Sequence, residues 1–329
     1  MKKENNTLAV VVPCYNEEEV LRETTKQLTT VLADLIKEEL ISENSFILYS
    51  NDGSKDKTWE IISELHKSNN FICGVNLSNN VGHQNALVAG MEVAVKYADM
   101  IVTIDADLQD DINAVKKMVK AYLEGFDIVY GVRANRRSDT LFKKNTASLF
   151  YKAMSLLGSK TVYNHADFRL MSGRAVKAFL QYPEKNLFIR GIVPIIGFKT
   201  TNVFYDRYER MAGETKYPFA KMVNFAIDGI TSFSVKPLRI IFGVGFLFLF
   251  LTIIAAVYTL VQYFAGNVVS GWSSMILSLW FIGSIAIMSL GIIGEYIGKI
   301  YLEVKNRPRY IIESILEQRN KFNNENVKN

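Results

Sequence analysis

The stretch Met100-Ile101-Val102-Thr103-Ile104-Asp105-Ala106-Asp107-Leu108-Gln109 joins a short apolar run directly to two carboxylates and an amide. In a region where strand-like and helix-like patterns alternate, such a run reads as a buried parallel strand. Asp105 and Asp107 then stand at its carboxyl end, the edge of an open α/β sheet where ligands bind. Oxygen ligands of this kind suit a hard cation, Mg²⁺ or Mn²⁺, shared with a diphosphate. Aspartates are common in loops, so the triplet gains meaning only from its surroundings.

Working outward, apolar runs at 8–12, 46–50, 71–77, 100–104 and 128–131 alternate with amphipathic stretches near 17–39, 57–67, 84–97 and 112–124. This is a βα alternation with a mainly parallel sheet. The first four runs end in residues able to touch a ligand: Pro13-Cys14-Tyr15-Asn16-Glu17, Asn51-Asp52-Gly53-Ser54, Asn79-Asn80-Val81-Gly82-His83, and the Asp-x-Asp itself. Neither the GxGxxG dinucleotide fingerprint nor a GxxxxGK[ST] P-loop occurs, which removes both of those nucleotide enzymes.

The 329 residues carry 49% hydrophobic and 22% charged side chains, ordinary for a globular chain, yet the distribution is lopsided. No Asp, Glu, Lys or Arg lies between Arg239 and Glu295. Since about 20 residues cross a hydrocarbon core, the interval predicts two spans, 238–262 and 275–297, broken by a Gly-, Asn- and Ser-containing turn with interfacial Tyr263, Phe264 and Trp272. Lys236 and Arg239 precede the first span and Lys299, Lys305, Arg307 and Arg309 follow the second, so the positive-inside rule puts both ends in the cytoplasm. The first residues form no signal peptide, and Cys14 and Cys73 are expected as thiols. The formal charge of +5 fits anionic lipid headgroups, and without a polybasic run nucleic acid is not an expected partner. Basic amphipathic segments within 141–157 and at 218–237 fit interfacial helices. The tail after Tyr310 reads as a solvated, charged helix fading into disorder.

Val12-Pro13-Cys14-Tyr15-Asn16-Glu17-Glu18, Asn51-Asp52-Gly53-Ser54, Asp105-Ala106-Asp107-Leu108-Gln109, Asp167-Phe168-Arg169-Leu170 and Arg210-Met211-Ala212-Gly213-Glu214-Thr215-Lys216-Tyr217 together resemble glycosyltransferase family 2. More narrowly the chain is similar to membrane-anchored polyprenyl-phosphate hexosyltransferases, such as bactoprenol glucosyltransferases and, more distantly, dolichyl-phosphate mannose synthases. The resemblance implies a GT-A domain over 1–217, a juxtamembrane helix over 218–237, two transmembrane helices and a cytoplasmic tail over 298–329. The implied setting is the cytoplasmic membrane, multi-pass, with the catalytic domain inside.

On that resemblance Pro13, Tyr15, Glu17, Asp52, Gly82, Asp105 and Arg133 bind the nucleotide sugar, and Asp105, Asp107 and Gln109 hold Mg²⁺ or Mn²⁺. Pro13 also ends a strand and Glu17 favours a helix start, readings compatible with the first. Asp107 and Asp167 are the catalytic acids. Arg169, Arg210 and Lys216 bind the acceptor or a phosphate, Arg210 and Lys216 on a basic loop that Gly213 loosens and that closes over either the donor's or the acceptor's phosphate, and Arg136 is a further candidate. Asp167 matches the family's acid near the reacting centre, which either positions the acceptor or takes a residual proton. His66, His83 and His165 lack metal-ligand spacing, and of these only His83 sits in a site loop.

The implied activity is inverting transfer of one hexose from a nucleotide sugar, UDP-glucose foremost, to a polyprenyl phosphate such as undecaprenyl phosphate. UDP-N-acetylglucosamine, UDP-galactose and GDP-mannose are the alternative donors. The implied partners are the membrane, a homo-oligomer, a downstream flippase and a second glycosyltransferase. A processive polysaccharide synthase would carry Gln-x-x-Arg-Trp, and none of Trp59, Trp272 and Trp280 follows such a sequence. A non-catalytic membrane scaffold or transport partner is the remaining class, against which stand the intact acids.

Overall fold

The computed structural model describes residues 6–133, 165–185, 188–206, 236–265 and 271–318. They fall in two compact units, a sheet domain that includes the chain beyond 307 and a pair of long helices. Arg136, Arg210, Gly213, Lys216 and the two expected interfacial segments, 141–157 and 218–237, lie outside the described residues.

The sheet domain alternates as its apolar runs predict. Strands β1 (Leu8–Cys14), β2 (Phe46–Asn51), β3 (Ile72–Leu77) and β4 (Met100–Thr103) are separated by helices α1 (Leu21–Lys37), α2 (Thr58–Ser68) and α3 (His83–Ala94). Helix α4 (Ala114–Leu123) leads to β5 (Ile128–Arg133). After β6 (His165–Ser172) come α5 (Gly173–Leu180), the short α6 (Ile189–Ile192) with a 3₁₀ turn at Val193–Ile195, and β7 (Thr200–Tyr205). Every residue of β1, β2 and β4 is buried, which is why these strands read as continuous apolar runs and not as alternating ones. Leu21, Leu28, Leu32 and Leu35 recur on one face of α1 and enter the core.

The sheet runs β7-β5-β6-β4-β1-β2-β3-β8. β1, β2, β3 and β4 pair in parallel, as do β5 and β7. The sheet is mixed, because β6 is antiparallel between β4 and β5, and β8 (Ile312–Leu316) is antiparallel to β3. β8 corrects the expected solvated helix in the tail. Tyr310-Ile311-Ile312 and Ile315-Leu316 are apolar and rich in β-branched residues, and Leu316 packs on the core.

In the second unit α7 (Lys236–Phe264) and α8 (Trp272–Val304) make residues 238–262 and 275–297 helical. Both expose large apolar side chains, Phe242, Phe246, Leu279 and Ile287 among them. Among the described residues one segment, Phe281–Val304, is long and apolar enough to cross a membrane by length and composition. After α8, Asn306 takes the left-handed conformation (φ 44°) and Pro308 follows, a combination that ends a helix.

Opposite the carboxyl ends of the parallel strands, Asp127 holds the start of α5. Its Oδ1 accepts from Ser172 Oγ at 2.8 Å, and Ser172 in turn caps the helix by accepting from Ala175 N at 3.2 Å. Arg174 adds a bidentate pair at 2.6 and 2.7 Å. The Arg174 hydrogen bond first, then Ser172, keep the Asp127 carboxyl below the usual range despite burial. Arg174 is 69% exposed and solvent-screened, so the buried Ser172 bond carries most of the stability. Asp127→Ala should destabilise the domain by about 1–2 kcal/mol, read as a lower unfolding midpoint at neutral pH. Because the folded pKa is depressed, this contribution is present above about pH 4 and is lost as pH falls through the folded value. The difference between wild type and variant should therefore close on acidification.

Candidate active site

The carboxyl ends of β1 to β4 share one edge because these strands are parallel, and the loops that leave them are bound to one another. Pro13 pairs with Ser50 inside the sheet, and the next residues turn out of it. Asn16 is left-handed at φ 55°, its amide donates to Ser54 Oγ at 3.0 Å, and its Oδ1 accepts from Lys55 N at 2.9 Å. The Glu17 amide donates to Thr58 Oγ1 at 2.9 Å, and Tyr15 is left 42% exposed beside them. Cys14 is buried, and burial followed by the charges of Glu17 and Asp56 pushes its thiol well above the ordinary range. It is a packing residue, not a nucleophile.

Asp52 follows β2 directly, with both carboxylate oxygens engaged. Its Oδ1 accepts from Val81 N at 2.7 Å and its Oδ2 from Gly82 N at 3.0 Å. Burial raises its carboxyl and the two amides work against that rise. Expected to meet the nucleotide, Asp52 is thus first a clamp on the loop after β3. The clamp needs Gly53, whose φ is +61° and whose missing Cβ would lie 2.5 Å from the Asn79 carbonyl carbon. Gly82 (φ 89°) precedes α3, and a Cβ there would meet nothing within 4 Å.

Buried Thr24 on α1 donates to Ala106 O at 2.7 Å, which fixes the backbone between the two aspartates. Leu108 is left-handed (φ 55°), which costs about 1–2 kcal/mol for an ordinary residue, and its side chain is buried. The turn lets Gln109 N donate to Asp107 Oδ1 at 3.2 Å. Asp105 and Asp107 keep partial exposure, whereas Gln109 is 7% exposed. Asp110, next in sequence, accepts from Tyr205 OH at 2.6 Å and from Arg133 Nη2 at 3.4 Å. Arg133 therefore stands in a cluster beside the Asp-x-Asp turn.

Asp167 arrives on β6, with Thr103 Oγ1 donating to its backbone carbonyl. Its carboxylate is 14% exposed and accepts from Arg169 Nη2 at 2.7 Å and from Arg190 at 3.2 and 2.9 Å. Burial opposes its ionisation, but Arg190 and then Arg169 outweigh burial and hold the carboxyl well below the usual range. His83 Nε2 lies 3.5 Å from Asp105 Oδ1 and 3.9 Å from Asp167 Oδ2, joining the two acids. Desolvation first, together with the charges of Asp167, Asp110 and Asp107, raises Asp105 to about 6, although His83 pulls the other way. Among the described residues no group of three His, Cys, Asp or Glu side chains is placed to hold a metal by itself.

The structure thus brings together Asp105, Asp107, Asp167, Arg169 and Arg133 on one edge and places Pro13, Tyr15, Glu17, Asp52 and Gly82 in the loops beside them. The expectations missed Arg190, Asp110 and Tyr205. Arg190 is the single charge in the apolar run from Leu187 to Phe198, the one signal that could have marked it. Its helix is held to α3 by the Ile189 amide, which donates to Gln84 Oε1 at 2.8 Å.

Residues 9–180 match glycosyl transferase family 2, and residues 236–300 match the GtrB C-terminal hairpin. The chain is 52% identical over 313 residues to the glycosyltransferase YkoT of Bacillus subtilis, covering 95% of this chain and 93% of that protein. It is 38% identical to the prophage bactoprenol glucosyl transferase homolog of Escherichia coli, over 94% of this chain and 99% of the other. To the bactoprenol glucosyl transferase of Shigella phage SfX it is 37% identical, over 93% and 99%.

The clamp geometry separates two glycines that share a positive φ. Gly82→Ala should cost about 1–2 kcal/mol of backbone strain. Gly53→Ala should cost about 1–3 kcal/mol more, because its Cβ meets backbone. Thermal unfolding of the two variants side by side reads the difference.

Proposed function

The chain belongs to glycosyl transferase family 2, and from that premise we propose that it moves one hexose, glucose from UDP-glucose foremost, onto a polyprenyl phosphate at the membrane face. The observation that carries this reading is the pair Asp105 and Asp167, on either side of His83, with Arg169 and Arg190 on the second acid. One acid would face a cation and the other organises guanidiniums, which is what a diphosphate donor and a phosphate acceptor require. Full-length similarity to proteins named bactoprenol glucosyl transferase supports the acceptor class, the hairpin match supports α7 and α8 as a helical pair, and the basic residues before α7 and after the apolar part of α8 support two spans with both ends cytoplasmic.

Asp105 and Asp107 fit a divalent cation held jointly with a diphosphate, since Mg²⁺ commonly takes one or two carboxylates and leaves its other positions to phosphate and water. The raised Asp105 carboxyl, crowded by three other acids, is a site that gains from positive charge. Bound there, the cation would offset charge developing on the departing nucleoside diphosphate. Gln109, buried, serves the turn more than the metal.

Asp167 positions and does not deprotonate. A phosphate monoester with a second pKa of about 6 is mostly ionised at neutral pH, so little proton remains to be taken. A carboxylate held far below its usual range is also a weak base. Its task is to orient Arg169, which is 1% exposed, and Arg190, which is 35% exposed and reachable from solvent. Arg190 can then swing part of its hydrogen bonding to the arriving phosphate, whose oxygen attacks the anomeric carbon opposite the diphosphate. That line of attack inverts an α-linked donor to a β-linked lipid phosphosugar. Arg210 and Lys216 would close over the same phosphates, and a flippase and a second transferase would consume the product.

The test is transfer by the full chain in nanodiscs, with labelled UDP-glucose, UDP-N-acetylglucosamine, UDP-galactose and GDP-mannose offered in turn with undecaprenyl phosphate. Wild type should form lipid-linked sugar, lose it to EDTA and regain it with Mn²⁺ or Mg²⁺. Asp107→Ala should lower turnover about 100-fold or more. Arg190→Ala should do likewise, and Arg190→Lys should recover little, because the bidentate fork is lost. No product from any donor, or full activity in Asp107→Ala, would sink the reading.

A further inference from the structure

The chain beyond the hairpin reaches the catalytic edge of the sheet. Arg309 donates to the Tyr182 carbonyl and Tyr310 OH to Glu92 on α3, so the segment is fastened to the domain before β8 begins. The Ile311 carbonyl accepts from Ser78 N at 3.0 Å. The β3–β8 register shifts between Asn76 and Leu77, where Ser314 opposes Asn76 and Ile312 opposes Leu77, so Glu313 is the extra residue of a bulge. Bulges re-aim side chains, and Glu313 Oε2 accepts from Asn76 Nδ2 at 2.7 Å. Asn76 Oδ1 accepts from Asn51 Nδ2 at 2.7 Å. One row of side chains therefore crosses β8, β3 and β2 and ends at Asn51, the residue before Asp52.

Both contacts bear on residues 78–83. Ser78 opens that loop, and Asn76 precedes it by two residues. At its far end Asp52 clamps Val81 and Gly82, and His83 stands between Asp105 and Asp167. We propose that Glu313 and the Ile311 carbonyl form a positioning element for this loop, so that the segment emerging from the second long helix sets the donor side of the site. Glu313 acts through Asn76 and Asn51 and touches no substrate. The donor assignment rests on the proposed function; the ordering of the loop does not.

The experiment uses the full chain in nanodiscs and two variants, Glu313→Ala, which removes the acceptor for Asn76, and Glu313→Gln, whose amide oxygen restores it. Hydrogen exchange of the backbone reads the loop without substrate. In Glu313→Ala, uptake over 78–83 should rise about three- to tenfold, the value of one hydrogen bond, while uptake over 100–104 stays as in wild type. Glu313→Gln should return it to the wild-type level. The donor KM should rise by a similar factor in Glu313→Ala, with kcat and the polyprenyl phosphate KM within about twofold of wild type. Unchanged uptake over 78–83, or a rise spread equally through the sheet, overturns the proposal. A looser loop with an unchanged donor KM overturns its link to the donor. Absence of transfer in wild type would instead strike the proposed function and leave the exchange result to stand.

Discussion

Four carboxylates, those of Asp105, Asp107, Asp110 and Asp167, converge on the edge of a sheet whose central strands are buried, and their mutual repulsion must be met. The protein meets it unevenly. Asp110 is satisfied by Tyr205 and Arg133, and Asp167 by Arg169 and Arg190, but among the described residues Asp105 receives only the approach of His83, and its carboxyl is raised to about 6. Charge left uncompensated at one carboxylate and over-compensated at another would let a single edge accommodate a cation and an anion side by side. The strands, caps and clamps around that edge serve to keep these groups from relaxing apart.

Much of this was legible in the sequence where one local rule governs. The runs that become β1, β2, β3 and β4 are apolar because both faces of the strands are covered, and α1 shows its leucine face through period alone. Asp105 and Asp107 could be placed at a strand end for the same reason. What the sequence hid was pairing between distant segments. β6 inserts antiparallel between β4 and β5, and this is what carries Asp167 to Asp105; no residue near Asp167 announces the direction of the strand. Arg190 lies in a single turn of helix too short to show a period, so its pairing with Asp167 is purely tertiary. The tail misled through its charges. Glu313, Glu317 and the following Lys and Asn residues suggested a solvated helix, while the β-branched Ile311, Ile312 and Ile315 were the strand signal.

Asp52 shows how a resemblance and a structure can address different levels of the same residue. As a family match it points to the nucleotide, yet its two oxygens are spent on the Val81 and Gly82 amides. A carboxylate so engaged presents a shaped loop more than a free ligand, and Gly53 allows the close approach of backbone that this shape needs. The shape of this edge is built from backbone held in place as much as from side chains.

The pairing of β8 with β3 also has a consequence for assembly. Asn76 and Glu313 are 237 residues apart, and the strand that covers the β3 edge is synthesised after both long helices. The entropy of closing so long a loop grows only slowly with its length, so the finished contact is affordable, but it must wait for everything between to emerge. Until then β3 is an open edge, a template for wrong pairing. The sheet is sealed only after both long helices have left the ribosome, which makes completion of the sheet domain a step that follows synthesis of the helical pair.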